Sequence, residues 1–269
     1  MPGRLENRVA VITGASSGIG RAIALAYASE GATLICSDII STPSSPEQPS
    51  TVDAATALGA TASFIKCDTS NSSDIQALIS TAVQQYGRID IMVNNAGISV
   101  EGGEHGARPV WDVEEEAFER TLDVNVKGVF LGTKYAARQM VRQEPGPSGD
   151  RGWIINLASV FGLRAAPGLS SYVASKHAVM GFTRATALDC APHRIHVNAL
   201  CPGFTATPFI ARLMQPDAHE RRSAVEARHP FKGLGKAEDI ARAAVFLASG
   251  DAAWVTGVGM PVDGGYSCL

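Results

Sequence analysis

Short runs of consecutive apolar residues recur along the chain, and they restrict its fold more than any other feature. They lie at 9–13, 33–38, 89–94, 153–157 and 195–200. The apolar residues are continuous rather than alternating, which is typical of strands that are buried on both faces of a parallel sheet.

Helical patterns separate these runs. After a cluster of N-cap residues at 70–74, apolar side chains recur at the spacing of one helix face. They are Ile75, Leu78, Ile79, Ala82, Val83 and Tyr86. The alternation of strands and helices predicts a doubly wound α/β fold with right-handed crossovers and helices on both faces of the sheet. We expect one domain over 1–269.

Composition excludes several classes of protein. Hydrophobic residues make up 45% of the 269 residues and charged residues 18%, as in a globular protein. A net charge of −3 without a run of Lys or Arg argues against a nucleic-acid partner. No apolar segment reaches the roughly 18 residues of a membrane span.

The sequence favours a cytoplasmic location. The N-terminal stretch reaches a glycine-rich turn at 13–20 before a secretory apolar segment could develop. The five cysteines are scattered and lack Cys-x-x-Cys spacing, so we expect reduced thiols and neither a disulfide framework nor a metal site.

Three stretches interrupt the strand–helix rhythm, at 41–50, 101–109 and 143–152. The first is rich in Pro and Ser and predicts an exposed loop, and the third predicts a loop or hairpin before the next strand. None is long enough to link a second domain. A further segment, around 203–230, is predicted to be a mobile cover over a substrate.

The glycine-rich turn joins the first predicted strand directly to a helix. Gly14 permits a tight turn, Gly18 permits close approach of a ligand, and Gly20 lets helix and strand pack. Such a turn places backbone N–H groups against a pyrophosphate at a helix N-terminus, although an ordinary turn would carry the same glycines.

An acidic residue, Asp38, ends the second predicted strand. A carboxylate about 20 residues after the turn can accept hydrogen bonds from the adenosine ribose and repel a 2′-phosphate. Ile39 follows it and no arginine stands beside it. The sequence therefore predicts NAD over NADP, unless Asp38 merely caps a strand end.

The stretch 171–179 places Tyr172 and Lys176 four residues apart. On a helix these positions share one face, about 5–6 Å apart. A cation there favours the phenolate, so the tyrosine could serve as a general acid or base. Many surface helices carry such pairs, and alone this one decides nothing.

Other motifs lie in a recognisable order along the chain. Thr13-Gly14-x-x-x-Gly18-x-Gly20 is followed by 94–97, 123–128, Ser159, 198–207 and 257–265. This order resembles the short-chain dehydrogenase/reductase family, in its single-domain, NAD-preferring branch, over essentially the whole chain. The resemblance implies a Rossmann-type doubly wound sheet of about seven strands.

The resemblance also implies roles for particular residues. The catalytic set would be Asn125 for a proton relay, Ser159 for the substrate oxygen, Tyr172 as acid/base and Lys176 as its tuner. Cofactor contacts would come from Gly14, Ser16, Ser17, Gly18, Ile19, Gly20, Asp38, Asp68, Thr69, Asn95, Ala96, Gly97, Tyr172, Lys176, Pro202, Gly203, Thr205 and Thr207. Candidate substrate contacts are Ser99, Phe161, Phe204, Phe209 and Leu213.

The expected reaction is hydride transfer between NAD(H) and a secondary alcohol or ketone. The mostly apolar candidate pocket favours a hydrophobic or cyclic substrate. A non-catalytic dinucleotide-binding regulator is the alternative, and a dehydratase or epimerase a weaker one. Members of this family commonly form homotetramers or homodimers, here through helices at about 114–142 and 171–190.

Overall fold

A computed structural model describes residues 3–43, 47–101, 106–231 and 233–269, without the side chains of 212–214 and 216. Its centre is a seven-stranded parallel sheet in the order β3-β2-β1-β4-β5-β6-β7. The strands are β1 Val9–Thr13, β2 Thr33–Asp38, β3 Ala62–Lys66, β4 Ile91–Asn94, β5 Gly152–Leu157, β6 Ile195–Pro202 and β7 Gly259–Val262.

Eight α-helices flank this sheet in the described part of the chain. They are α1 Gly18–Ser29, α2 Thr51–Ala57, α3 Ser72–Tyr86, α4 Glu115–Leu122, α5 Gly128–Met140, α6 Ser170–Cys190, α7 His219–Ala227 and α8 Ala237–Leu247. A π-helical turn, Asp123–Lys127, joins α4 to α5. The predicted doubly wound Rossmann-type fold is confirmed.

Successive residues of the central strands pack into different clusters on opposite faces of the sheet. Ile12 and Val93 belong to the cluster beneath α1 and α8, whereas Val11 and Met92 belong to the cluster beneath α3 and α5. Each fully buried aliphatic side chain stabilises the fold by about 1.5–3 kcal/mol. Burial on both faces explains why these strands have continuous apolar sequences.

Two strands, β3 and β7, have no counterpart among the apolar runs. They lie at the two edges of the sheet, and their residues are half-buried or exposed. An edge strand that is covered incompletely needs no continuous apolar run, so the pattern that identified the central strands missed β3, while β7 lies within the 257–265 motif.

A buried polar network fixes the two long helical segments to the sheet. The Asn94 amide donates to Thr133 Oγ1 at 3.0 Å and to Asn156 Oδ1 at 2.8 Å, and Asn156 donates to Thr183 Oγ1 at 3.0 Å. These residues lie on β4, α5, β5 and α6. Because each polar group needs its partner once buried, the network sets the position of α6 relative to the strand ends.

The segment 143–152 is anchored at its end rather than freely exposed. The Asp150 side chain is 1% exposed and lies 2.6 Å from an Arg194 nitrogen and 3.2 Å from His196 Nε2. The Gln143 amide donates to the Ile89 and Arg151 carbonyl oxygens.

None of the helices among the described residues is long and apolar enough to cross a membrane.

Candidate active site

A cleft of about 1000 Å³ opens beyond the carboxyl ends of the strands. It lies where the strand order reverses between β1 and β4, the position at which open α/β sheets bind their ligands. Residues from the turn after β1, the loops after β4 and β5, and helix α6 line it together with the segment after β6.

The glycine-rich turn forms one end of the cleft. Gly14 and Gly18 have φ values of +64° and +52°, a conformation that side chains disfavour, and both line the cleft. A Cβ atom on Gly20 would collide with the Gly14 carbonyl oxygen. Gly20 therefore lets α1 start close to β1, while the other two glycines bring backbone against a ligand. This cradle fits a pyrophosphate.

Asp38 lies beside that turn. Its Oδ2 accepts the Ser16 N–H at 3.1 Å, and its Oδ1 accepts the Ile39 N–H at 2.8 Å. The Ser16 hydroxyl donates to the Ile40 carbonyl oxygen. The carboxylate is thus held in place beside the glycine-rich turn, where Asp38 and Ile39 are both part of the cleft lining.

Most of the residues predicted to bind a cofactor line this one cleft. They are Gly14, Ser17, Gly18, Ile19, Asp38, Asp68, Thr69, Asn95, Ala96, Gly97, Tyr172, Lys176, Pro202, Gly203, Thr205 and Thr207. Ser16 and Gly20 are absent from the lining because the first bonds to the end of β2 and the second packs against Gly14.

Ser159, Tyr172 and Lys176 meet near the middle of the cleft. Ser159 lies close enough to Tyr172 to lower the pKa of its phenol, and its Oγ accepts the Phe161 N–H at 3.2 Å. The Lys176 ammonium lies 5.5 Å from the centre of the Tyr172 ring, and it donates to the Leu157 carbonyl oxygen at 2.7 Å. One turn of α6 thus places a phenol and an ammonium group together beside the serine that follows β5.

Burial dominates the electrostatics of this group. It raises the pKa of Tyr172 to about 12, against a smaller lowering by Ser159. It lowers the pKa of Lys176 to about 8. The sequence predicted that Lys176 would lower the tyrosine pKa. In the structure the pKa of Tyr172 is instead raised, because burial disfavours the charged phenolate.

Asn125 lies on the π-helical turn and does not line the cleft. Its Oδ1 accepts the Ile98 N–H at 2.8 Å, and its Nδ2 donates to the Ile98 carbonyl oxygen at 2.8 Å and to Ser175 Oγ at 3.0 Å. The side chain therefore ties the loop after β4 to helix α6.

Comparisons with known proteins agree with this arrangement. A family model described as Enoyl-(Acyl carrier protein) reductase matches residues 14–267. The chain belongs to the short-chain dehydrogenase/reductase family. As members of that family, its relatives are dehydrogenases and reductases, so this chain is an oxidoreductase with an NAD(P)-binding Rossmann-type fold.

Two relatives and one solved structure illustrate the likeness of this short-chain dehydrogenase/reductase to known proteins. The 3-oxoacyl-(acyl-carrier-protein) reductase FabG of Thermotoga maritima is 37% identical over 97% of this chain and 98% of its own. The mitochondrial borneol dehydrogenase of Lavandula x intermedia is 38% identical, over 99% and 93%. A putative 2-deoxy-d-gluconate 3-dehydrogenase from Agrobacterium tumefaciens, with bound NADP, has a TM-score of 0.84, 32% identity and 98% coverage of each chain.

Aromatic rings form the wall of the cleft beyond Tyr172. The Phe161 ring lies 6.4 Å from that of Tyr172 and 5.8 Å from that of Phe204, and Phe209 lies 6.0 Å from Tyr172. Ser99 also lines the cleft. The Leu213 side chain lies outside the described residues. Four of the five candidate substrate contacts of this short-chain dehydrogenase/reductase therefore share one pocket.

Several residues at the site escaped the sequence analysis. Tyr266, near the C-terminus, packs against Phe161 and Phe204 with centroid distances of 6.3 and 5.8 Å. Glu101 lines the cleft and is bonded to the first turn of α6. No local pattern could identify either residue, because their partners lie more than 60 positions away in the sequence. Among the described residues, no group of three or more His, Cys, Asp or Glu could hold a metal ion.

The pKa of Lys176 makes the stability of this short-chain dehydrogenase/reductase depend on pH. Folding lowers that pKa from 10.5 to about 8, so between these values the unfolded chain binds more protons and stability rises with pH. We expect the free energy of unfolding of wild type, relative to Lys176→Met, to increase by about 2 kcal/mol from pH 8 to pH 10. Urea titrations of both proteins measure it. A difference that stays constant or falls would contradict the expectation.

Proposed function

We propose that this protein transfers a hydride between NAD(H) and a secondary alcohol or ketone. The observation that carries the proposal is the group Ser159, Tyr172 and Lys176, the last two one turn apart on the same helix, which lines the same cleft as the glycine-rich turn. The cofactor supplies the hydride when bound, and the protein residues handle the proton at the reacting oxygen.

Ser159 and Tyr172 would hold the substrate oxygen between their hydroxyl groups. In ketone reduction, charge develops on that oxygen, and two donors aimed at it stabilise the transition state. A tyrosine with a pKa near 12 is protonated at neutral pH, so Tyr172 is ready to donate its proton. In alcohol oxidation the same oxygen of Tyr172 accepts the proton.

Lys176 would lower the cost of forming the Tyr172 phenolate. With a pKa of about 8 it carries its charge at neutral pH, and it is buried beside the tyrosine, where charges interact strongly. Lys176 Nζ also lies beside Gly97 in the cleft lining, which supports a second role for Lys176 in holding the nicotinamide ribose.

We propose Asn125 as a support of the proton relay rather than as a side-chain donor in the cleft. Both polar atoms of its side chain are used by Ile98 and Ser175. Its contribution would be to hold α6, and with it Lys176, against the loop after β4.

The apolar wall favours a cyclic or otherwise hydrophobic substrate. Phe161, Phe204 and Phe209 contribute ring surface next to Tyr172, and Leu169 and Ile210 add aliphatic surface to the same cleft. A relative named for the alcohol borneol is consistent with this class. Initial rates of NAD(H) turnover across cyclic and open-chain ketones and secondary alcohols test the proposal, and equal inactivity of all of them would refute it.

Asp38 supports a preference for NAD over NADP. Its carboxylate is fixed by two backbone N–H groups, so a 2′-phosphate would meet a negative charge that cannot swing away easily. The neighbouring Ile39 is 58% exposed and offers no charge to such a phosphate.

Replacing Asp38 and Ile39 together should reverse the preference for NAD over NADP. In Asp38→Ala/Ile39→Arg the repulsion is removed and a guanidinium can pair with the phosphate. We expect the ratio of kcat/KM with NADP to kcat/KM with NAD to rise about 100-fold, since two charge interactions of about 1–2 kcal/mol each are reversed. Steady-state kinetics with both cofactors measure the ratio, and Ile40→Arg is the matched control. A wild-type enzyme that already prefers NADP would contradict the assignment of Asp38.

We also propose that the protein assembles as a homotetramer or homodimer through the α4–α5 and α6 helices. Phe118, Phe130 and Leu188 lie on these helices and are 39%, 42% and 78% exposed, an apolar surface that a second copy would cover. Sedimentation equilibrium measures the state, and a monomer would refute it. A cytoplasmic location fits the five free cysteines.

A further inference from the structure

Glu101 lies at the start of the helix that carries Tyr172. Its side chain comes from the loop after β4, is 3% exposed, and makes four hydrogen bonds to the first turn of α6. Oε1 accepts the Ser170 hydroxyl at 3.1 Å and both the N–H and hydroxyl of Ser171 at 3.0 Å. Oε2 accepts the N–H of Tyr172 itself at 3.1 Å.

These bonds do the work of a helix cap that the local sequence lacks. Leu169 occupies the N-cap position of α6, and no side chain there accepts a hydrogen bond. The first N–H groups of a helix have no partner within the helix, and once buried they require an acceptor. Glu101 supplies that acceptor from about 70 residues earlier in the chain, where its negative charge also meets the positive end of the helix dipole.

The loop that carries Glu101 is fastened on both sides of it. Ile98 is held by the side chain of Asn125, and the Arg108 N–H donates to the Gly168 carbonyl oxygen at 3.2 Å. The start of α6 is thus clamped to the loop after β4 at the point where Tyr172 meets the cleft. The clamp acts on the backbone of the reacting residue, not on a distant part of the helix.

We propose that Glu101 is a positioning residue for Tyr172, whose carboxylate fixes the first turn of α6 so that the phenol stays against Ser159. The proposal rests on the proposed function, since it assigns Glu101 to the proton-transfer step of that reaction. Glu101 differs from the residues proposed to bind the cofactor, because its carboxylate accepts hydrogen bonds from the backbone and the serine hydroxyls at the start of α6.

Replacing Glu101 should reduce kcat while leaving cofactor binding intact. A displacement of a reacting group by about 1 Å can lower the rate about 100-fold, so we expect Glu101→Ala to lose between about 10- and 100-fold in kcat, with KM for NADH changed less than about twofold. In Glu101→Gln the amide oxygen can still accept from Ser170 and Ser171, but the amide nitrogen cannot accept from Tyr172. We expect kcat of this variant to lie between those of wild type and Glu101→Ala.

Asp239→Ala provides a matched control. Asp239 is also an acidic residue that bonds at the start of a helix, accepting the Lys236 N–H at 2.8 Å, but it belongs to α8 and does not line the cleft. Its loss should lower the thermal midpoint without changing kcat. If Glu101→Ala behaves in the same way, with wild-type kcat below its unfolding temperature, Glu101 is a structural cap and the proposal is wrong. A rise in KM for substrate at unchanged kcat would equally overturn it, since Glu101 would then be a substrate contact.

A readout that needs no turnover separates this proposal from the proposed function. The chain has five tyrosines, so labelling their ring carbons bearing the hydroxyl with ¹³C gives few NMR signals, and Tyr172→Phe identifies that of Tyr172. We expect this signal to shift in Glu101→Ala and less in Glu101→Gln, and to stay unchanged in Asp239→Ala. An unchanged signal in folded Glu101→Ala would overturn the proposal. If wild type turns over no substrate, the proposed function fails, and this signal alone decides the role of Glu101.

Discussion

Tyr172→Phe should lower kcat by about 10²- to 10⁴-fold, the usual contribution of a positioned general acid or base. The substitution removes the hydroxyl that would give its proton to the substrate oxygen, while the ring contacts with Phe161 and Phe209 stay. NADH binding, measured by fluorescence titration, should change little, since the ring and the backbone that line the cleft remain.

Ser159→Ala is the companion variant for this prediction. It removes a donor to the same oxygen, for which losses of about 10²- to 10³-fold are usual, and leaves the Tyr172 hydroxyl in place. The double variant should be little worse than Tyr172→Phe alone, because the two groups act on one oxygen. Near-normal turnover of Tyr172→Phe would show that another residue moves the proton and would refute the mechanism.

Lys176→Met should damage both catalysis and cofactor binding. The ammonium lies 5.5 Å from the centre of the Tyr172 ring, where a positive charge favours a phenolate, and its removal takes away that stabilisation. The variant also leaves the buried Leu157 carbonyl oxygen without its 2.7 Å donor. We expect kcat to fall by at least about 100-fold, and KM for NADH to rise about tenfold through loss of a charged hydrogen bond worth about 1.5 kcal/mol.

The matched control is Lys134→Met on helix α5. Lys134 is exposed, and its removal should alter neither kcat nor KM for NADH. Because kcat and KM should both change in Lys176→Met, whereas kcat alone should change in Tyr172→Phe, the pair of variants separates the two roles. An increase in KM for NADH without any loss of kcat would assign Lys176 to cofactor binding only.

The central strands and the glycine-rich turn could be predicted from the sequence because local patterns specify them. Burial on both faces requires continuous apolar residues in β1, β2, β4, β5 and β6, and a ligand at the backbone requires Gly14 and Gly18. β3 could not be recognised in this way. It lies at the edge of the sheet, and its side chains are half-buried or exposed, so they need not be apolar.

The residues that complete the site depend on contacts between distant segments. Tyr172 and Lys176 were predicted as a pair from their helical spacing, Ser159 was added by the family resemblance, and all three line one cleft. Glu101, the Asn94–Asn156 pair and Tyr266 could not be predicted, because each acts through a partner from another element of the fold. The direction of the Tyr172 pKa also needed the structure, since a sequence shows the neighbouring charge but not the depth of burial.

The transfer of deuterium tests the central claim most directly. NADH with deuterium at both positions of the reactive ring carbon is incubated with the enzyme and an unsymmetrical cyclic ketone, and the alcohol product is analysed by mass spectrometry and NMR. Hydride transfer at this site predicts one deuterium on the carbinol carbon of the product, in a single configuration, with wild type and not with Tyr172→Phe over the same period. A product without deuterium at that carbon, or equal labelling by Tyr172→Phe, would contradict it.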